Sequence, residues 1–356
     1  MANTKLETVL TQWQNLQPLA EIDRDRLSRR FTIDFNYNSN HIEGNTLTYG
    51  QTELLLLFGK IVGEAYFRDC EEMKASNVGL QMMLVESSDK QLPLTQNFIR
   101  TLHRTLLRED YTVYRMLPGG VQTSYVIHAG QYKTRPNSVI TRYGDRFEYA
   151  SPEETPALMA DLVDWYNHAE QEGKLSPIDL AILFHYRYIR IHPFEDGNGR
   201  IARLMVNYIL SRHGYPMIVV RSRLKQDYLE ALHRADLIVG STPADGAHAS
   251  LKDIRPFHKY MVNLICHEIE NDVLFVTEKS QDVWWYDGER IAFRTPSYGK
   301  ILQELRREPK ATLAYLQEEI GINRSALQKL LQTLLDKHYV ERDADGSWRV
   351  FITPSM

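Results

Sequence analysis

Between two apolar stretches the chain places the run HPFEDGNGR, His192 to Arg200. A histidine, two acids, an asparagine, two glycines and an arginine are more polar and flexible chemistry than a connecting loop requires. Upstream, SPIDLAILFHYRYIRI opens with Ser176 as a helix N-cap, Pro177 at the first helical position and Asp179 near the positive end. Downstream, Ile201, Leu204, Met205, Tyr208 and Ile209 recur at the spacing of one buried helical face, and Gly214 ends that pattern. The spacing predicts a helix, a glycine loop and a second helix, with Gly-Asn-Gly at the start of the second.

Backbone N–H groups at a helix start, with glycines that let a ligand approach, form an anion site. Gly197 and Gly199 supply that access, and Arg200 and Arg203 lie three residues apart on the first turns of the helix. Two guanidinium forks over such a site suit an oligophosphate better than a single carboxylate. Asp196 could hold Mg²⁺, which takes few protein carboxylates and completes its shell with phosphate and water. His192 is the general base within reach. Neither a P-loop nor a dinucleotide fingerprint is present, so the signal is the joint occurrence of these groups within twelve residues.

Length allows two or three domains, and 43% hydrophobic with 25% charged residues is an ordinary globular balance. A net charge of −4 argues against coating nucleic acid or a membrane by bulk electrostatics. Cys70 and Cys266 stand far apart, which excludes a disulfide framework and a cysteine-type zinc site. Charges and glutamines occupy the N-terminus where a secretory leader would be apolar, and Leu54 to Phe58 is too short an apolar run to span a bilayer. A cytoplasmic setting is expected, with no membrane partner.

Most of the chain to about residue 265 reads as helix. The exception is 132–152, where β-branched and aromatic residues flank Tyr143-Gly144-Asp145 as a short hairpin. A second hairpin or linker is expected near 283–293, around an Asp-Gly turn. From there three short helical patterns precede a hairpin at Asp345-Gly346, the order of a winged helix. The expected divisions are an N-terminal helical region 1–110, a core 111–268, a linker or hairpin 269–296 and a winged-helix domain 297–356.

HPFEDGNGRIAR matches at every fixed position the HxFx(D/E)GNGRxxR signature of the Fic domain family, and GQYKTRPNSVI resembles the segment leading into that family's flap hairpin. The resemblance covers roughly residues 30 to 240. It implies a mainly α fold, a helical Fic-type core with a short β-hairpin flap, and transfer of AMP from ATP, with Mg²⁺, to a Tyr, Ser or Thr hydroxyl of a protein. In that reading His192 takes the hydroxyl proton and Asp196 holds the metal. The run Gly197, Asn198, Gly199, Arg200, Ile201, Ala202 and Arg203 meets the phosphates, and Tyr228 lines the nucleotide pocket. Val139, Ile140, Thr141 and Arg142 form the flap edge on which a target strand docks. Relatives often carry an asparagine where this chain has Asp236.

SNHIEGN, residues 39–45, has two readings. Locally, Asn40 could cap a helix with Glu43 completing a capping box. The resemblance implies instead the family's inhibitory (S/T)xxxE(G/N) motif, matched by Ser39, Glu43 and Gly44, with Glu43 on Arg203 displacing the γ-phosphate. Alternatives stay open: the same glutamate could serve removal of AMP from a modified protein, and the chain could be a nucleotide-sensing DNA-binding regulator. For the latter, Arg324, Gln328, Lys329 and Gln332 would face outward, but nine Lys/Arg against eight Asp/Glu from residue 297 onward leave that module nearly neutral. Protein docking is its other use. The acceptor could be another protein or the chain itself.

Overall fold

The computed structural model describes residues 2–116, 120, 122–140 and 146–355. It is mainly helical. In chain order come α1 (Ala2–Asn15), α2 (Glu21–Ile42), α3 (Tyr49–Phe58), α4 (Phe67–Ser88), α5 (Gln96–Leu107), β1 (Tyr111–Met116), β2 (Gln122–Ile127), β3 (Ser138–Ile140) and β4 (Arg146–Glu148). They are followed by α6 (Thr155–Glu172), α7 (Pro177–Ile191), α8 (Asn198–Arg212), α9 (Lys225–Val239), α10 (Pro243–Ala247) and α11 (Arg255–Thr277). The rest is β5 (Val283–Tyr286), β6 (Glu289–Ala292), α12 (Pro296–Arg307), α13 (Leu313–Ile320), α14 (Arg324–Asp336), β7 (Val340–Arg342), β8 (Trp348–Val350) and β9 (Thr353–Pro354). Among the described residues no helix is long and apolar enough to cross a membrane.

The chain forms two compact units. The first comprises Met1–Leu6, Asn38–Thr46 and Tyr66–Cys266. Its centre is the helix pair α7 and α8. Ser176 Oγ accepts from the Asp179 N–H, the cap that starts α7 behind Pro177. From Ile178 to Ile191 nearly every α7 side chain is buried, and Ile201 to Leu210 of α8 is buried throughout. Such all-round burial marks helices enclosed by neighbours rather than surface helices.

Two hairpins belong to this unit. β3 and β4 pair antiparallel, Ser138 with Glu148 and Val139 with Phe147, where a hairpin was expected; its turn, with Thr141 and Arg142, lies outside the described residues. β1 and β2 pair from Tyr111↔Ile127 to Met116↔Gln122, in a stretch expected to be helical. The cause is a strand pattern: exposure alternates at period two over Tyr111–Tyr114 and over Gln122–Ile127.

The second unit comprises Glu7–Tyr37, Leu47–Ala65 and His267–Met356. Ile301, Leu302 and Leu305 of α12, Leu316 of α13 and Leu327, Leu331 and Leu334 of α14 share one core with Trp284 and Trp348. With the β7–β8 hairpin this is a winged-helix arrangement. α11 runs unbroken through 268/269, its apolar residues Ile265, Ile269 and Phe275 spaced for one buried face. The hairpin expected at 283–293 is present as β5 and β6, paired antiparallel from Val283↔Ala292 to Tyr286↔Glu289, and β9 joins it as a third strand in the order β6-β5-β9.

Candidate functional site

α7 ends at His192, which adopts a left-handed conformation (φ 51°, ψ 61°) uncommon for a residue with a Cβ. Lys133 secures this turn. Its buried ammonium donates to the carbonyls of Ile191 (3.0 Å) and His192 (2.8 Å) and to Asn137 Oδ1 (2.9 Å). A cation there answers the negative end of the helix dipole. Burial pushes the Lys133 ammonium down to about 7. The His192 imidazole lies flat on Tyr149, ring centres 3.9 Å apart and 14° from parallel. Burial, then the charge of Lys133, lowers its pKa to about 3, so the ring is neutral near pH 7 and able to accept a proton.

The loop is folded on itself by Asn198. Its side chain accepts from the Phe194 N–H at 3.0 Å and donates to the Phe194 carbonyl at 2.7 Å. Phe194 points into the core and stacks on His103, 3.7 Å away and 4° from parallel. His103 Nδ1 accepts from the Gly130 N–H at 2.9 Å, so its other nitrogen carries the proton and donates to the Asp196 carbonyl at 3.0 Å. Burial lowers the His103 pKa to about 4, which keeps this single neutral tautomer.

Asp196 Oδ1 accepts from the Gly197 N–H at 2.7 Å; Oδ2 accepts from the Tyr111 hydroxyl at 2.7 Å and faces Arg200 at 3.4 Å. Burial alone would raise this carboxyl, but Arg200, Tyr111 and Gly197 outweigh it and hold it below its usual range. An ionised hard oxygen donor beside a glycine cradle fits Mg²⁺. Among the described residues no group of three or more His, Cys, Asp or Glu forms a metal cage, so further ligands would come from phosphate and water.

Gly197, with φ 77°, turns the chain into α8. A Cβ on Gly199 would stand 2.5 Å from Glu43 Oε1 and 3.0 Å from Arg203 Nη1, so only glycine leaves the helix start open. The Arg200 side chain is buried, and its Nε has no hydrogen-bond partner among the described residues. Ile201 and Ala202 are fully buried, which leaves only their backbone to meet a ligand.

Arg203, 3% exposed, is held from the far end of the sequence. Its Nε donates to Ser39 Oγ at 3.0 Å, and its Nη2 donates to the Ser39 carbonyl at 2.8 Å and to Glu43 Oε1 at 2.6 Å. Asn40 does not cap a helix start, which corrects the local reading of SNHIEGN. Ser39 and Asn40 lie in the last turns of α2, and the Glu43 and Asn45 N–H groups bond back to the Asn40 carbonyl. Gly44, at φ 99°, then breaks the helix.

Tyr228, on α9, is buried with its hydroxyl 2.7 Å from His185 Nε2, and burial raises it to about 12. Asp236 turns inward: its Oδ1 accepts from Tyr186 at 2.7 Å and Arg190 at 3.2 Å. Val139 and Ile140 lie in β3, the first strand of the hairpin beside this loop. The structure therefore gathers the motif residues with Ser39, Glu43 and Tyr228 in one unit. It also adds Lys133, His103, Tyr111 and Tyr149, which the sequence reading missed. His103 alone left a signal, a histidine on the apolar stripe Phe98, Ile99, Leu102 and Leu106 of α5.

The Fic/DOC family model matches residues 93–210, and a winged helix-turn-helix DNA-binding model matches 299–341. A solved Fic domain containing signaling protein from Bacteroides thetaiotaomicron is similar at 52% identity and a TM-score of 0.70, over 76% of this chain and 96% of that one. A Fic-1 fragment from Caenorhabditis elegans is similar at 25% identity and a TM-score of 0.59, over 76% of this chain and 72% of that one. Among curated proteins, the protein adenylyltransferase fic-1 of C. elegans is 29% identical over 287 residues, 80% of this chain and 49% of that protein. The chain spans half or less of the length of the curated relatives it matches, 49% and 40% for the two from Caenorhabditis.

Proposed function

Because the chain belongs to the Fic/DOC family, we propose that it is a protein adenylyltransferase restrained by its own Glu43. The observation that carries this reading is the Glu43–Arg203 contact at 2.6 Å, made directly over the Gly199 backbone at the start of α8. In the reaction, the neutral His192 imidazole takes the proton of an acceptor hydroxyl, and that oxygen attacks the α-phosphorus of ATP as pyrophosphate leaves. Bound at Asp196, Mg²⁺ would neutralise charge on the phosphate chain. The amides of Gly197, Asn198 and Gly199 with Arg200 supply the rest of that neutralisation, so positioning and electrostatics carry the step.

Arg203 is the group left for the terminal phosphate, and Glu43 occupies it. A buried guanidinium satisfied by Ser39 and Glu43 offers little to an incoming anion. Glu43→Gly frees one face of Arg203 but leaves both Ser39 contacts. Since the Glu43 carboxylate is partly exposed, the stability lost is about 1 kcal/mol or less, and transfer is expected to rise about tenfold or more.

The test is label transfer to protein from ATP labelled at the α- or the γ-phosphate, with wild type, Glu43→Gly and His192→Ala compared. The reading expects α-label only, raised in the Glu43 variant and absent in the His192 variant. Label moving from the γ-position, or equal transfer in wild type and Glu43→Gly, overturns it.

A further inference from the structure

Arg115 on the β1–β2 hairpin and Arg135 in the segment entering β3 form a pair of cations that the transfer chemistry does not use. In the antiparallel register Tyr111, Val113 and Arg115 share a face with Ile127, Tyr125 and Thr123. At the base of that face the Tyr111 hydroxyl reaches Asp196, so the face continues outward from the catalytic loop. Further out, the Arg115 guanidinium lies 5.2 Å from the Tyr125 ring centre, and that of Arg135 lies 4.8 Å from the same ring. Arg135 sits in the segment entering β3, next to Thr134, whose hydroxyl is 3.2 Å from Glu195 Oε1 in the catalytic loop.

Both arginines are exposed, and neither has a carboxylate partner among the described residues. Some exposed arginines of the same unit are ion-paired, Arg68 with Glu72, Arg108 with Glu71 and Arg234 with Glu230. On a chain of net charge −4, two guanidiniums against one ring concentrate positive charge locally. The cation–π contacts with Tyr125 restrain both exposed side chains, which lowers the ordering cost of binding a carboxylate.

We propose that Arg115, Tyr125 and Arg135 form a clamp for an acidic segment of the acceptor protein, with Asp or Glu a few residues from the modified hydroxyl. The proposal rests on the transferase reading and specifies its acceptor. Two guanidiniums suit a compact carboxylate pair, whereas nucleic acid calls for a larger basic surface to neutralise many phosphates.

The test uses the full chain carrying Glu43→Gly and two labelled peptides. Each has a central tyrosine, flanked by Asp and Glu in one and by Asn and Gln in the other. Binding is read by fluorescence anisotropy without ATP, and α-label transfer to each peptide is read separately. The acidic peptide is expected to bind about tenfold more tightly at low salt, with the advantage shrinking as salt rises. Arg115→Ala with Arg135→Ala should abolish the advantage, while Lys at both positions should keep part of it. Both sites are exposed, so matched thermal melts will verify the fold.

Equal binding of the two peptides overturns the clamp, as does an advantage that survives the double alanine variant. A short DNA duplex that outcompetes the acidic peptide also overturns it, and reassigns the pair to nucleic acid. Preferential binding with no AMP on either peptide sustains the clamp and sinks the transferase reading. Equal transfer to both without preferential binding does the reverse.

Discussion

At the scale of single residues, the loop that carries Asp196 is positioned by a histidine with no place in the reaction. His103 accepts from Gly130 on one nitrogen and donates to the Asp196 carbonyl from the other, with its ring flat against Phe194. A phenylalanine here would preserve the stack and delete both hydrogen bonds, leaving the Gly130 N–H and the Asp196 carbonyl to lose their partner. Unpaired buried groups of this kind cost about 1–3 kcal/mol each. In the proposed reaction Asp196 would hold Mg²⁺, so the loss should reach the metal. His103→Phe is expected to raise the Mg²⁺ concentration at half-maximal AMP transfer about 10–100-fold, the range seen when outer-shell partners of metal ligands are removed. A Mg²⁺ titration of transfer, beside a urea melt of the same variant, separates the two effects. A destabilised variant with an unchanged Mg²⁺ midpoint would show that His103 only holds the fold.

Among the elements, those with strong local signals were legible in the sequence. α7 announces itself through Ser176, Pro177 and Asp179, and the glycine loop through its own composition. The β1–β2 hairpin was missed although its strands alternate, because the surrounding helical texture outweighed a short pattern. Lys133 and Tyr111 were illegible for a different reason: each acts across a long sequence separation, on Ile191 and on Asp196, and nothing local marks such contacts. The partnership of Glu43 with Arg203, 160 residues away, became visible only through a family motif. The winged helix was legible from its leucine spacing, and its electrostatics can be tested. Arg324, Gln328, Lys329 and Gln332 are all exposed on α14, yet the module is nearly neutral and Gln332 already bonds Asp336 at 2.7 Å. Phosphate neutralisation dominates affinity for duplex DNA. Mobility shifts with a short duplex should therefore show weak binding that vanishes at physiological salt. A tight, salt-resistant shift would contradict this and mark the module as a DNA reader.

For the molecule as a whole, the two units should respond to acid with opposite signs. In the first, His103 and His185 are fully buried, and burial lowers their pKa values from 6.5 to about 4 and about 3. Between those limits the unfolded chain binds protons that the native unit refuses, so its stability declines as pH falls below about 6.5. Depressed carboxyls such as Asp196 and Asp179 add to the loss only near and below their ordinary value of 3.8, which leaves the range from 6.5 to about 4.5 to the histidines. In the second unit, burial raises Glu53 to about 8, with Arg306 and Arg29 opposing the shift. Its native carboxyl holds a proton that the unfolded chain has released, so acidification from 8 towards 4.5 adds stability there. Hydrogen–deuterium exchange, corrected for the chemical rate at each pH, reads both units in one experiment. Between pH 6.5 and 4.5 the amides of α7 and α8 should lose protection while those of α3 hold or gain it. If α7 and α8 kept their protection, the buried histidines would have to be charged or better solvated than their surroundings allow. If both units lost protection together, Glu53 would have to be ionised in the native state.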